Sequence, residues 1–145
     1  MTLHKLNALE LDAKLIEAGF PATDVVGTVS PTGLYIRRTA WAKAMAESGG
    51  FYDIISPENP NGSYDYGLFQ INSIHRADIG EAGWRNILNP TFNANLAWNW
   101  TDDGKHWGTW GLGMEGWAGS LYKSNPTAWQ QIQAVFKAQY DAYPK

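Results

Sequence analysis

The sequence contains no cysteine, which excludes a disulfide framework and thiol chemistry. Its three histidines, His4, His75 and His106, stand far apart without the ligand spacing of a zinc site. No metal and no other cofactor is expected. Charge is scarce: 17% of residues are charged, 11 basic against 14 acidic, for a net charge of −3. With no basic run, nucleic acid and anionic membranes are not expected as partners. No apolar stretch approaches the length of a membrane span. The opening Met-Thr-Leu-His-Lys-Leu-Asn has no apolar core of the kind a signal peptide carries. Internal repeats and low-complexity segments are also missing.

A chain of 145 residues sets the expectation of a single domain over residues 1–145, acting as a monomer. Such a chain can bury roughly two thirds of its unfolded surface. The hydrophobic fraction, 44%, is ordinary, but aromatics reach 14% with 8 tryptophans. Core packing claims aromatic rings first. An excess beyond that suggests a sugar-binding cleft, where the C–H faces of pyranose rings stack on indole.

Periodicity predicts helices with one small β element. Lys5 to Ala18 reads as an amphipathic helix with Leu6, Leu9, Ala13 and Ile16 on its buried stripe, stopped by Gly19. Pro31 marks the start of a second helix, with Thr32 as its cap, running to Ser48 and ended by Gly49-Gly50. Asp53-Ile54-Ile55 and Tyr64, separated by Pro57, Pro60 and Asn61-Gly62, suggest a β-hairpin or ribbon. Ile74 to Asn89 reads as a long irregular connection with one turn near Trp84. Pro90 opens a helix to about Trp100, His106 to Tyr122 should hold short helices, and Ser124 or Asn125 caps a last helix to Tyr140. That helix carries Trp129, Ile132, Val135, Phe136 and Gln139 on one stripe.

Two stretches carry candidate chemistry. Asp65 to Ser73 reads Asp-Tyr-Gly-Leu-Phe-Gln-Ile-Asn-Ser. In an extended segment the amides of Gln70 and Asn72 share one face, and amides suit hydroxyl-rich or N-acetylated ligands. Gly67 marks a tight turn or a close backbone approach. Upstream, Ala-Met-Ala-Glu-Ser-Gly-Gly places Glu47 on the last turn of a helix. A carboxylate there faces the negative end of the helix dipole, which is poor design for stability but favours the protonated form that a general acid needs. A solvated Glu at a helix end and a polar turn at Asp65 are the plain alternatives.

Asp-Tyr-Gly-Leu-Phe-Gln-Ile-Asn-Ser resembles the central motif of animal-type lysozymes, and Ala-Met-Ala-Glu-Ser-Gly-Gly-Phe with Gly-Leu-Phe-Gln-Ile-Asn resembles bacterial and phage lytic transglycosylases of the lysozyme-like superfamily. The likeness runs from about Leu34 to Trp110. It implies an α+β fold, mostly helical and lysozyme-like, with a small β-hairpin or ribbon beside an active-site cleft. It implies a glycosidase, a muramidase acting on bacterial peptidoglycan glycan strands at the β-1,4 bond between N-acetylmuramic acid and N-acetylglucosamine. Glu47 takes the role of general acid and Asp65 that of second carboxylate. Ser48, Tyr66, Gln70, Asn72, Trp107 and Trp110 are the candidate substrate-binding residues. Trp107 and Trp110 match a Trp-x-x-Trp element of the animal enzymes, and Trp107 would pack on Glu47. Each has a structural alternative: a helix cap for Ser48, hairpin bonding for Gln70 and Asn72, core packing for the aromatics. Asn89-Pro90 and Asn93-Ala94-Asn95 resemble the opening of the corresponding phage transglycosylase helix and imply a structural role.

The absence of cysteine departs from the disulfide-bonded animal enzymes. Lytic transglycosylases commonly lack a carboxylate with the role given to Asp65, so a transglycosylase yielding 1,6-anhydro products stands as the near alternative. A glycan-binding or chitin-directed module without catalysis is the remoter one. An enzyme of this kind without a signal peptide would reach the cell wall on a phage particle, through a holin, or as a piece of a longer chain.

Overall fold

The computed structural model describes residues 2–27 and 33–144. Its centre is helix α2, Ile36–Ser48, which buries Ala40, Trp41, Ala42 and Ala44. Helix α1, Ala8–Ala18, packs against α2 from one side, and α7, Pro126–Asp141, packs against it from another. Helix α5, Pro90–Trp100, lies on α1. Helix α6, Gly116–Ser124, packs on α7. The short helices α3, Arg76–Ile79, and α4, Glu81–Trp84, fill the connection before α5. Strands β1, Asp65–Tyr66, and β2, Ile71–Asn72, pair antiparallel with Asp65 opposite Asn72 and Tyr66 opposite Ile71. The fold is therefore mostly helical with one small antiparallel sheet, the α+β class expected.

Helix ends follow side-chain chemistry. Asn7 and Glu10 form a reciprocal capping box on α1. Asn89 caps α5 with Pro90 at its first position, and Asn125 caps α7 with Pro126 next. Pro31 and Thr32, expected to open α2, lie outside the described residues. Asp24 caps α2 from another segment: its carboxylate accepts the backbone N–H of Arg37 at 2.7 Å and of Arg38 at 3.1 Å. That satisfies two orphan donors and sets a negative charge at the positive end of the helix. Gly49 ends α2 in the left-handed conformation, φ 65°, donating to Met45.

Two expectations are corrected. The buried face of α1 is Leu11, Leu15 and Ala18, whereas Leu9, Ala13 and Ile16 are exposed. The helix has two apolar stripes, and the one with Leu11, Leu15 and Ala18 is turned inward, where α1 meets α2 and α5. The hairpin lies downstream of its expected place. Its strands lie inside the central motif itself, and Ile55 adds only an isolated bridge to Tyr66. The Pro- and Asn-rich residues before it form a loop.

An ion pair ties α1 to α2, and Tyr143 near the C-terminus hydrogen-bonds to both of its members. The Arg37 guanidinium is nearly buried and meets Asp12 at 2.9 Å, and it also donates to Pro21 and Ala22 carbonyls and to Tyr143. Burial works against its charge, but the bonds to Asp12 and Tyr143 prevail and raise its pKa further. Burial and the Asp12 carboxylate push the Tyr143 phenol up. Arg38 stacks on Tyr140, 4.2 Å from the ring centroid.

The hairpin is anchored by a buried amide of α5. Asn93 is fully buried. Its Oδ1 accepts the Phe69 N–H at 2.8 Å, and its Nδ2 donates to the carbonyls of Tyr66 and Ile87, both at 2.9 Å. Gly67 makes room for it, since at φ +77° a Cβ there would stand 2.6 Å from Asn93 Nδ2. Asn93→Ala removes three bonds and strands backbone groups in the interior. At about 1 kcal/mol per bond, a loss of roughly 3 kcal/mol is expected in denaturant melts. A change below about 0.5 kcal/mol would show that the hairpin does not depend on this amide.

Candidate active site

A cleft of about 790 Å³ opens between the end of α2, the hairpin with its preceding loop, and the C-terminal helices. Glu47 and Asp65 both line it. Glu47 sits in the last turn of α2 because Gly49 stops the helix two residues later. Asp65 sits on β1.

Glu47 has a neighbour that sequence reading missed. The Lys43 ammonium lies 3.2 Å from Glu47 Oε1, and the lysine side chain is 4% exposed against 28% for Glu47. Lysine preceding glutamate by four residues is the less favourable order on a helix, because each charge then opposes the dipole. A buried ammonium also bears a desolvation cost. Stability alone does not account for this pair. A lysine one turn before Glu47 in an otherwise alanine-rich helix was the available signal.

Asp65 is held through both carboxylate oxygens. Oδ1 accepts from Asn72 Nδ2 at 2.9 Å, and Oδ2 accepts from Asn59 Nδ2 at 3.1 Å and from Ser56 Oγ at 3.5 Å. The Asn72 contact follows from register, since the two residues are cross-strand partners. Asn72 gives its other amide hydrogen to Ser63 Oγ, and its Oδ1 accepts from Ile74 N. Both amide hydrogens of Asn72 are thus used inside the protein. Gln70 adopts φ 52° and donates from Nε2 to Gly67 O at 3.0 Å and to Ile54 O at 3.4 Å. Its Oε1 has no donor among the described residues, and Gln70 lines the cleft.

The remaining expected residues divide. Trp110 lines the cleft and is fixed by its indole N–H to Phe69 O at 2.9 Å. Trp107 does not line it: the ring is 1% exposed, packs with Phe20 and Phe69, and donates to Gly104 O. Trp107 thus packs in the core, and Trp110 stands at the cleft wall. Ser48 is buried, bonds Ala44 O and accepts from Gly50 N, which is the work of a helix end. Tyr66 packs edge-on against Trp84, away from the cleft. Cleft residues that the sequence did not single out include Asn59, His75, Trp100 and Trp117. His75 and Trp100 meet at a tilt of 56°, with ring centroids 5.0 Å apart.

The model of a lysozyme-like domain family matches residues 16–112. This chain belongs to that family. The match covers Glu47, Asp65, the whole hairpin and both Trp107 and Trp110, and it ends before α6 and α7. Comparison with curated proteins and with solved structures gives no match. No helix among the described residues is long and apolar enough to cross a membrane.

Within this lysozyme-like domain the geometry redirects one expectation about Asn72. Its amide positions Asp65 instead of reaching outward. Asn72→Ala is expected to cost about 0.5–1.5 kcal/mol of stability for each net bond lost to Asp65 and Ser63, and to weaken binding of N-acetylglucosamine oligomers only through the loosened Asp65. Titration calorimetry with a parallel thermal melt reads both. Unchanged affinity with unchanged stability would remove Asn72 from the site.

Proposed function

We propose that this domain is a muramidase that cleaves the β-1,4 bond between N-acetylmuramic acid and N-acetylglucosamine in peptidoglycan. The observation that carries the reading is the meeting of Glu47 and Asp65 in one cleft, within a lysozyme-like domain. Glycoside cleavage needs an acid for the leaving oxygen and a group that stabilises the cationic sugar. Glu47, the only carboxylate at the α2 end of the cleft among the described residues, takes the first role. Asp65, fixed from two sides by amides, takes the second. Gln70 Oε1 offers an acceptor to sugar hydroxyl or N-acetyl N–H groups, and Trp100 and Trp110 offer apolar faces. The substrate is the glycan strand, the protein acts as a monomer, and it works at the bacterial cell wall, as a phage-borne or bacterial enzyme.

One observation favours a second reading. Both oxygens of Asp65 are engaged by the hairpin and its loop, which is also what a purely structural aspartate would do. The substrate's own N-acetyl group would then assist, its 6-hydroxyl would attack, and the product would be 1,6-anhydro. Mass spectrometry of products from purified cell walls tests the proposal. Reducing ends support the hydrolase, anhydro ends support the transglycosylase, and the absence of cleavage leaves a glycan-binding module.

A further inference from the structure

The C-terminal helices reach the cleft although the family match ends at residue 112. Trp117 from α6 and Ile132 from α7 both line it. Trp117 is 51% exposed, an unusual state for the largest apolar side chain, and Met114, three residues before it, is 48% exposed.

The ring is not loose. A Cβ on Gly111 would stand 3.1 Å from Trp117 Cζ3 and 3.0 Å from Ile132 Cδ1, so the six-membered edge of the indole rests on bare backbone at φ +85°. That backbone is clamped in turn by α7. Gln133 donates to Gly111 O at 2.6 Å and accepts from Gly113 N at 3.2 Å, while Trp129 donates to Gly113 O at 2.8 Å. Two buried-side donors and one acceptor therefore hold the segment carrying the platform. An aromatic held at its edge and open over much of its surface, in a cleft that also carries amides and carboxylates, is built for a ligand that is apolar on one face and hydroxylated at its rim. Pyranose rings have that form. Pre-organisation of the platform lowers the entropy cost of binding.

We propose that Trp117 is a sugar-stacking subsite supplied by the C-terminal helix pair, an extension of the cleft that binds a pyranose ring of the glycan strand beyond those held near Glu47 and Asp65. This subsite rests on the glycan reading above. It makes affinity depend on chain length: short oligomers leave Trp117 uncovered and long ones cover it.

The test is titration calorimetry of the full chain with N-acetylglucosamine oligomers of two to six units, alongside release of fragments from purified cell walls. The variants are Trp117→Ala and Trp117→Phe. For Trp117→Ala, a loss of about tenfold in affinity, the scale of one aromatic contact, is expected for the longest oligomers, with dimer binding unchanged. Trp117→Phe keeps a ring and should retain affinity within about threefold. Equal affinities of wild type and Trp117→Ala across all lengths would overturn the subsite while leaving the proposed function intact. An effect on cell walls without any on the oligomers would also overturn it and point to the peptide stems. A wild type that neither binds oligomers nor cuts walls would overturn the glycan reading itself. Trp117→Phe losing as much as Trp117→Ala, with a lowered melting temperature in both, would mark the ring as structural and overturn the subsite.

Discussion

Glu47→Gln is expected to lower cell-wall cleavage by roughly 10²–10⁴-fold, the range for a lost general acid, and to lower stability as well. The second effect comes from Lys43. Its buried ammonium sits 3.2 Å from the carboxylate, and a neutral amide leaves that charge without a counter-charge. About 3–5 kcal/mol is the scale for removing one partner of a buried pair, lowered here because Glu47 is 28% exposed. Activity loss alone would therefore be ambiguous, because a partly unfolded enzyme is also inactive. The double variant Lys43→Met, Glu47→Gln separates the two. Methionine fills similar space without charge, and exchanging a buried pair for apolar packing is often neutral. The double variant should melt near the wild-type temperature and remain inactive. A well-folded Glu47→Gln protein with near wild-type cleavage would end the assignment of Glu47, and so would recovery of activity in the double variant.

The part of the site legible in sequence was the part written in local chemistry. Glu47 could be placed on the last helical turn because Gly49-Gly50 cannot continue a helix and Gly49 takes the left-handed conformation. Asn125 and Pro90 marked helix starts for equally local reasons. What stayed hidden depends on tertiary partners. Two apolar stripes on α1 compete, and only the neighbours α2 and α5 decide that Leu11 and Leu15 go inward. Asp24 caps a helix that begins well downstream of it, so no window of adjacent residues displays the cap. Trp107 and Trp110 stand three residues apart around a single 3₁₀ turn at Gly108–Trp110, yet one ring lies in the core and the other lines the cleft. The hairpin strands are two residues each, too short to show alternation, and their connection is held by Asn93 of α5.

Asp65→Asn separates hydrolase from transglycosylase, and the hydrogen bonds around it shape the experiment. If Asp65 stabilises the oxocarbenium-like state or forms a glycosyl-enzyme, water completes the reaction. Wild-type products are then reducing muropeptides, and Asp65→Asn should cost about 10²-fold or more, the scale of losing one preorganised electrostatic group. The substitution has a structural cost too. Asp65 accepts amide hydrogens at both oxygens, from Asn72 and Asn59, and an asparagine presents only one acceptor, so one neighbour faces a donor. The swap Asp65→Asn, Asn59→Asp repairs that contact with the roles reversed, and it carries the charge to the far side of a 3.1 Å hydrogen bond. Under the hydrolase reading the swap should refold to near wild-type stability and stay impaired, because the carboxylate no longer stands where the cationic sugar forms. Under the transglycosylase reading Asp65 only knits the hairpin to its loop, and the swap should recover cleavage together with stability. Anhydro products from the wild type, joined with an active swap variant, would move the assignment to the transglycosylases and leave Glu47 as the acid in both.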